Sequence, residues 1–200
     1  MILSNAGIQQ AISEHQIEID PVPTAERYTT SAVDLTLGKA ELCKVWDRAR
    51  FDVRGVKVEL NLAVQEFPKT AGAYLVPARC EGDGSVVLPP FATEPVHLLA
   101  MTHERVSLNW DAQMAARVEG RSSFARLGLV VHLTAPTIHA GFRGAITLEI
   151  INFGPFYLKL VPGQTRICQL IFERLESIPI GEPATAFQDQ TTPAGDPRRR

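Results

Sequence analysis

The chain has 200 residues, of which 45% are hydrophobic and 21% charged, and its formal net charge is −2 at neutral pH. This length and composition predict one compact domain whose core is large enough to need no disulfide or structural metal. The charge balance excludes a generally basic face. We therefore expect no nucleic-acid partner, and any anionic ligand must meet a local cluster of Arg or Lys.

The first residues and the cysteines predict the compartment. Residues 1–13 lack the basic start and long apolar stretch of a secretory signal, and no run reaches the ~18 apolar residues that a membrane span requires. We expect a cytoplasmic protein without membrane contact. Cys43, Cys80 and Cys168 are far apart and show no CxxC spacing, so we interpret them as reduced cysteines, without a disulfide framework or zinc site.

The predicted elements are mostly strands. Ser4 precedes Ile8 and Ala11 at helical spacing, which predicts a short N-capped helix, and residues 21–30 follow as a loop. Short β-branched or alternating runs, each bounded by Gly, Pro, Asn or Asp, then recur at residues 32–37, 56–64, 95–102, 105–108, 129–133, 145–151 and 167–172. This pattern is typical of a β-sandwich or barrel and not of βαβ units.

The chain is predicted to divide near residue 180. Residues 1–180 form the predicted domain, and residues 181–200 form a polar tail that includes Arg198, Arg199 and Arg200. A tail of this composition cannot bury itself, so we expect it to be mobile when nothing is bound.

Residues 120–128 contain the first candidate site. Ser122 and Ser123 open a short predicted helix, whose free backbone N–H groups and serine hydroxyls suit an anion. Arg126 follows Ser122 by four residues, so both share a helix face and the guanidinium can fork onto phosphate oxygens. The alternative, which spacing alone favours, is a capped surface helix with solvated arginines.

A hairpin and the strand after it form the second candidate site. Residues 134–144 contain a proline and two glycines, which let backbone groups approach a flat ligand closely. In the following strand, alternation puts Thr147 and Glu149 on one face and Leu148 on the other. Glu149 is either a solvated carboxylate, which is the commoner case, or a desolvated one that takes a proton from water.

These segments together resemble the dCTP deaminase family, which shares its fold with dUTPases. Gly-Arg-Ser-Ser-Phe-Ala-Arg-Leu-Gly at residues 120–128 is similar to the family's phosphate motif. The hairpin at 134–144 resembles its base-reading hairpin, and residues 147–149 resemble the strand that carries its glutamate. Further similarity lies at residues 3–4, 31–38, 162–163 and 169–170, and in the lid-like residues 187–190. The resemblance implies a mostly β, dUTPase-like barrel or sandwich with a short N-terminal helix and a short internal helix, assembled as a homotrimer.

The resemblance also implies an activity. The protein would deaminate dCTP to dUTP and ammonia without zinc, with Glu149 as the general base and Mg²⁺ bound only through the triphosphate. The nucleotide and its phosphates would be bound by Arg121, Ser122, Ser123, Arg126, Gln169 and Gln190. The base and sugar would be bound by Thr134, Ala135, Thr137, His139 and Phe187.

Two positions depart from the family pattern. His139 stands where the family commonly has Asp, and a neutral imidazole cannot supply a fixed negative charge. Ala186 stands where the lid often has Lys, a phosphate contact that the terminal arginines could replace. His139 disfavours a dUTPase-type or bifunctional diphosphatase, which stays an alternative, as does a non-enzymatic nucleotide-binding protein.

Overall fold

The computed structural model describes residues 1–52, 59–60, 72–181 and 187–195. Its helices are α1 (Asn5–Ser13), α2 (Arg48–Asp52) and α3 (Ser122–Ala125). Its strands are β1 (Ile17–Asp20), β2 (Val33–Thr36), β3 (Lys44–Trp46), β4 (Leu75–Pro77), β5 (Val86–Leu88), β6 (Leu98–Leu108), β7 (Met114–Gly120), β8 (Leu129–Val130), β9 (Thr137–Ile138), β10 (Arg143–Asn152), β11 (Leu158–Leu160) and β12 (Arg166–Arg174). The mostly β architecture and both predicted short helices are confirmed.

Helix α1 begins where the sequence predicts. The Ser4 hydroxyl accepts a hydrogen bond from the backbone N–H of Gly7 at 3.2 Å, which satisfies a donor that has no partner within the helix. Ile8 and Ala11 are the buried residues of the helix. The cap and this apolar stripe together hold α1 against the core. Among the described residues, no helix is long and apolar enough to cross a membrane.

Two antiparallel sheets share one hydrophobic core. One sheet has the order β4-β3-β6-β10-β8, with β1 also paired to β6, and the other has the order β2-β12-β7-β9. Strands β11 and β5 form a further pair. Leu148 from the first sheet and Phe172 from the second are fully buried in the same apolar cluster. This arrangement is the sandwich that the short, turn-bounded runs predict.

Strand β6 joins two strands that the sequence predicts separately. The polar residues His103 and Glu104 separate the two predicted runs, but both lie within one 11-residue strand, in which Thr102 and Glu104 are buried. The Thr102 hydroxyl donates to the Glu104 carbonyl at 2.8 Å, and the Glu104 carboxylate accepts from the Thr36 backbone N–H at 2.7 Å. Because these bonds satisfy the polar groups, the strand continues through them.

Other predicted strands differ in extent. The run predicted at 129–133 is shorter in the structure, where it forms β8. Strand β7 was not predicted. Its buried positions are Met114, Ala116 and Val118, and the small Ala116 weakens the alternation of hydrophobic and polar residues that marks a strand. The predicted strand at 56–64 lies outside the described residues, except for residues 59–60, which belong to no strand.

Strand β10 positions the second candidate site. Burial alternates as predicted, with Leu148 buried and Thr147 and Glu149 half-buried on the opposite face. Thr147 pairs with Met101 and Glu149 with Leu99 of β6. The register shifts between Ala145 and Thr147, and such irregularities often occur beside functional sites because they redirect a side chain.

Candidate functional site

Two neighbouring cavities lie against the half-buried face of β10. The first, of about 190 Å³, is lined by Thr137, Ile138, His139, Ala140, Phe142, Ile146, Thr147, Phe187, Gln188 and Gln190. The second, of about 300 Å³, is lined by Trp46, His97, Leu99, Thr147, Glu149, Phe187, Gln190 and Pro193. Thr147, Phe187 and Gln190 line both cavities. The cavities therefore meet at a boundary formed by β10 and the tail.

Glu149 lies in the second cavity, on the face that alternation predicts. Its Oε2 atom accepts a long hydrogen bond of 3.4 Å from the backbone N–H of Leu133. Leu133 directly precedes Thr134 and Ala135, which are exposed and belong to the lining of neither cavity. The carboxylate thus lies beside the start of the hairpin and faces a space large enough for water or part of a ligand.

Sequence reasoning missed Trp46 and His97. The Trp46 indole N–H donates to Nδ1 of His97 at 3.2 Å, and the ring centroids are 6.5 Å apart. Burial lowers the pKa of His97, and the negative charge of Glu149 opposes this shift. No motif marks the pair, because the two residues meet only through the pairing of β3 with β6.

The tail segment 187–195 packs on the hairpin and on β10. The Gln188 side chain donates to the Gly141 carbonyl at 2.8 Å and accepts from the Arg143 backbone N–H at 2.6 Å. Gln190 is only 5% exposed, and its amide donates to the Thr147 hydroxyl at 2.9 Å. The amide side chains of this segment thus bond to the hairpin and the strand, and the expected mobility of the tail in the absence of ligand stays a prediction.

The rest of the tail cannot be compared with the prediction. Residues 182–186, which include Ala186, and residues 196–200, which include the three arginines, lie outside the described residues. The division of the chain near residue 180 stays a prediction.

Asp189 connects the tail to two arginines. Its carboxylate forms ion pairs with Arg143 at 2.5 Å and with Arg105 at 2.7 Å. The hydrogen bond from Arg143 is the main reason that the pKa of Asp189 lies below its ordinary value, and Arg105 adds to the shift. The ionised carboxylate therefore favours the docked tail.

We expect Asp189→Asn to loosen the docked tail. Docking lowers the pKa of Asp189, so the ionised carboxylate stabilises the docked tail. This stabilisation is fully present above about pH 3.9, the ordinary pKa of an Asp side chain, and is lost as pH falls through the lower pKa of the docked state. Exposed pairs contribute at most about 1 kcal/mol, so amide exchange of residues 187–190 should rise about two- to fivefold at neutral pH. Asp111→Asn, at an exposed turn position, is the control. Equal exchange in both variants would contradict the role of Asp189.

The predicted phosphate residues lie away from both cavities. Ser122, Ser123 and Arg126 are exposed on α3, whose N-cap residue Arg121 forms no side-chain capping bond. None of these residues belongs to the lining of either cavity. The serines therefore do not cap the helix, contrary to the alternative interpretation. Within one chain, the described structure does not bring the phosphate segment and Glu149 into one pocket.

Asp34 is a further residue that sequence reasoning missed. It is 3% exposed, and its carboxylate accepts from the Gln169 amide at 3.0 Å and lies 3.5 Å from the Arg121 guanidinium. Arg166 lies 3.7 Å from the same carboxylate. Gln169 thus bonds within its own chain, and its predicted contact with the nucleotide stays a prediction. Asp34 holds Arg121 at the start of α3.

Comparison with known proteins gives one consistent result. A family model described as dCTP deaminase-like matches residues 2–175. A "dCTP deaminase, dUMP-forming" from Methanosphaera stadtmanae is 38% identical over 178 residues, which cover 88% of this chain and 80% of the relative. A "dCTP deaminase" from Rhodospirillum rubrum is 36% identical over 205 residues, which cover 96% of this chain and 94% of the relative.

A solved structure shares the fold. The crystal structure of the 2'-deoxycytidine 5'-triphosphate deaminase from Agrobacterium tumefaciens superposes with a TM-score of 0.60 at 18% identity. The match covers 86% of this chain and 48% of the other, so the present chain spans about half the length of that protein. The predicted dUTPase-like architecture is confirmed at the level of the fold.

Proposed function

The chain belongs to the dCTP deaminase-like family, and on that premise we propose that it deaminates dCTP to dUTP and ammonia. The proposal rests mainly on the Glu149 carboxylate, which is half-buried and lies in a cavity between β10 and the tail. A carboxylate in such a position can act as a general base toward water. The relatives named above act on dCTP according to their names.

The proposed chemistry passes two water protons through Glu149. As the water oxygen bonds to C4 of cytosine, the carboxylate takes one proton and delivers it to N3, which receives the electron pair of the C4=N3 bond. The remaining hydroxyl proton passes by the same carboxylate to the amino nitrogen. The C4–N bond then breaks, ammonia leaves and C4=O forms. Zinc deaminases use H-x-E and P-C-x-x-C motifs for this attack, and the chain has neither.

We propose that the pyrimidine lies at the boundary between the two cavities. Phe187 lines both cavities and is 49% exposed, so one ring face remains available for stacking. Thr137 and His139 line the first cavity and are exposed, in keeping with the base and sugar contacts that the resemblance implies. Thr134 and Ala135 would contact the base through backbone groups near the Leu133 amide that donates to Glu149.

We propose that the complete site requires a second copy of the chain. The phosphate residues Ser122, Ser123 and Arg126 are exposed and lie apart from the cavity that holds Glu149. In a homotrimer, α3 of one subunit would face the cavities of its neighbour, and one nucleotide would contact both. Arg121, held by Asp34, would add a fixed positive charge at the start of α3.

Mg²⁺ is proposed to enter with the triphosphate. Mg²⁺ usually keeps several waters and binds to substrate phosphates with few protein ligands. The described residues contain no group of three or more His, Cys, Asp or Glu side chains that could hold a metal ion, so the proposed ligands are phosphate oxygens and water. The ion would neutralise phosphate charge beside Arg121 and Arg126.

Arg126→Ala tests the phosphate assignment. Because the guanidinium should contact phosphate alone, the variant should bind dCTP about 30- to 150-fold more weakly, which corresponds to about 2–3 kcal/mol, and bind deoxycytidine as before. Calorimetry with both ligands measures the difference, and Arg79→Ala, at another exposed arginine, is the control. Equal weakening toward both ligands would show that Arg126 is structural.

A product assay decides between the activities. The purified protein is incubated with dCTP or dUTP and Mg²⁺, and uracil nucleotides, pyrophosphate and ammonia are separated. The proposal predicts dUTP and ammonia from dCTP. Formation of dUMP and pyrophosphate would show a bifunctional enzyme, which the name of the Methanosphaera stadtmanae relative favours and His139 disfavours. Unchanged but bound nucleotide would contradict the proposed deamination.

A further inference from the structure

His97 lies just before the start of β6 and shares a cavity with Glu149. Leu99 is directly opposite Glu149, and His97 directly precedes β6, two residues before Leu99. All three residues line the second cavity.

Trp46 determines which nitrogen of His97 carries the proton. An indole N–H is a donor only, and that of Trp46 points to Nδ1 of His97 at 3.2 Å. Nδ1 must therefore be the acceptor, so the neutral imidazole carries its proton on Nε2. Burial lowers the pKa of His97 and favours this neutral form, although Glu149 opposes the shift.

The Nε2 atom of His97 is buried and has no hydrogen-bond partner among the residues that the structure describes. Buried N–H groups nearly always bond to protein, ligand or ordered water. Around the same cavity, Leu99, Phe187 and Pro193 have no polar side-chain atom, and neither Glu149 nor Gln190, which do carry oxygen atoms, bonds to this nitrogen. A molecule bound in the cavity beside Glu149 would supply an acceptor for this N–H group.

We propose that His97 is a catalytic residue that holds the attacking water, an assignment that rests on the proposed deamination. Its Nε2–H donates to the water oxygen while Glu149 accepts one of the water protons. The remaining lone pair of the oxygen then faces C4 of cytosine. His97 keeps its own proton throughout. As Glu149 takes the water proton, the same N–H stabilises the hydroxide-like oxygen. It does so again when the hydroxyl of the tetrahedral intermediate loses its proton and C4=O forms, which is the step in which an oxyanion develops.

The test is to compare His97→Leu with His97→Gln and to use His103→Leu, at an exposed position on β6, as the matched control. Removal of one preorganised donor to a developing oxyanion lowers kcat by about 10²-fold, so we expect that loss in His97→Leu, with KM for dCTP within about threefold. The Gln side chain can place an amide N–H near the Nε2 position and should recover at least about tenfold. The control should match the wild type.

Trp46→Phe provides a second test if His97→Leu does not fold. This variant keeps the imidazole but removes the donor that sets its tautomer, so we expect kcat to fall about five- to tenfold with KM unchanged. Thermal melting and calorimetric nucleotide binding establish that each variant is folded. An unchanged kcat in folded Trp46→Phe would overturn the assignment.

Failure of this assignment differs from failure of the proposed function. Near wild-type kcat in His97→Leu, with Glu149→Gln inactive, would overturn the role of His97 and leave the deaminase intact. A raised KM with unchanged kcat would place His97 against the base and not the water, and would also overturn it. Absence of deamination in the wild type would remove the proposed function itself.

Discussion

Glu149→Gln should bind dCTP and Mg²⁺ with nearly the wild-type affinity and lose most of its turnover. The amide keeps the shape of the side chain and can still accept from the Leu133 N–H, but it cannot take a proton from water. General base catalysis contributes about 10²–10⁴-fold, so kcat should fall by at least that factor. Single-turnover kinetics with calorimetric binding separate the two effects.

The control for this experiment is Glu18→Gln, which changes an exposed glutamate on β1. It should leave both binding and turnover unchanged, since exposed substitutions rarely alter stability by more than about 0.5 kcal/mol. If Glu149→Gln behaves like the control, Glu149 is a strand residue without a catalytic role. The fold and the phosphate segment would then be the parts of the proposal that stand.

Periodicity predicts the position of Glu149 because a strand has a simple geometric rule. Alternation along residues 145–151 puts Thr147 and Glu149 opposite Leu148, and the structure has the same arrangement. The N-capped helix is predictable for a similar reason, since Ser4 and the apolar stripe after it lie within a few residues of each other. Local patterns of this kind are visible in one sequence.

Contacts between distant segments are not visible in this way. The Trp46–His97 hydrogen bond depends on the pairing of β3 with β6, and the bond between Asp34 and Gln169 depends on the pairing of β2 with β12. Neither pair has a motif or a characteristic spacing. Both include polar groups beside the candidate sites, so the residues that the sequence could not identify are those that tertiary pairing brings together.

Composition alone does not reveal the polar contacts of the tail. Polar, proline-containing segments are usually unable to bury enough apolar surface to order themselves. Here Gln190 is buried by hydrogen bonds to the Ala145 carbonyl and the Thr147 hydroxyl, and Asp189 pairs with two arginines. The ordering comes from specific polar bonds to β10, which hydrophobic composition does not measure.

A chain that ends before Phe187 should keep its assembly and lose most of its activity. The removed segment supplies Phe187 and Gln190 to both cavities and Pro193 to the second, so Glu149 would become open to bulk water. Closure that excludes water strengthens electrostatic interactions within a site and commits the substrate, and its loss should lower kcat/KM by about 10²-fold or more.

The matched control for the truncation is a chain that ends at Gly195, which keeps the docked segment and removes residues 196–200. This chain should retain nearly all activity if the docked residues form the lid, whereas a loss comparable to the longer truncation would assign the role to Arg198, Arg199 and Arg200.

Light scattering at micromolar concentration should give a trimer for the wild type and both truncated chains, because α3 and β10 remain. A wild-type monomer would contradict the proposed shared site, and dissociation of the longer truncation alone would show that residues 187–195 hold subunits together and are not a lid.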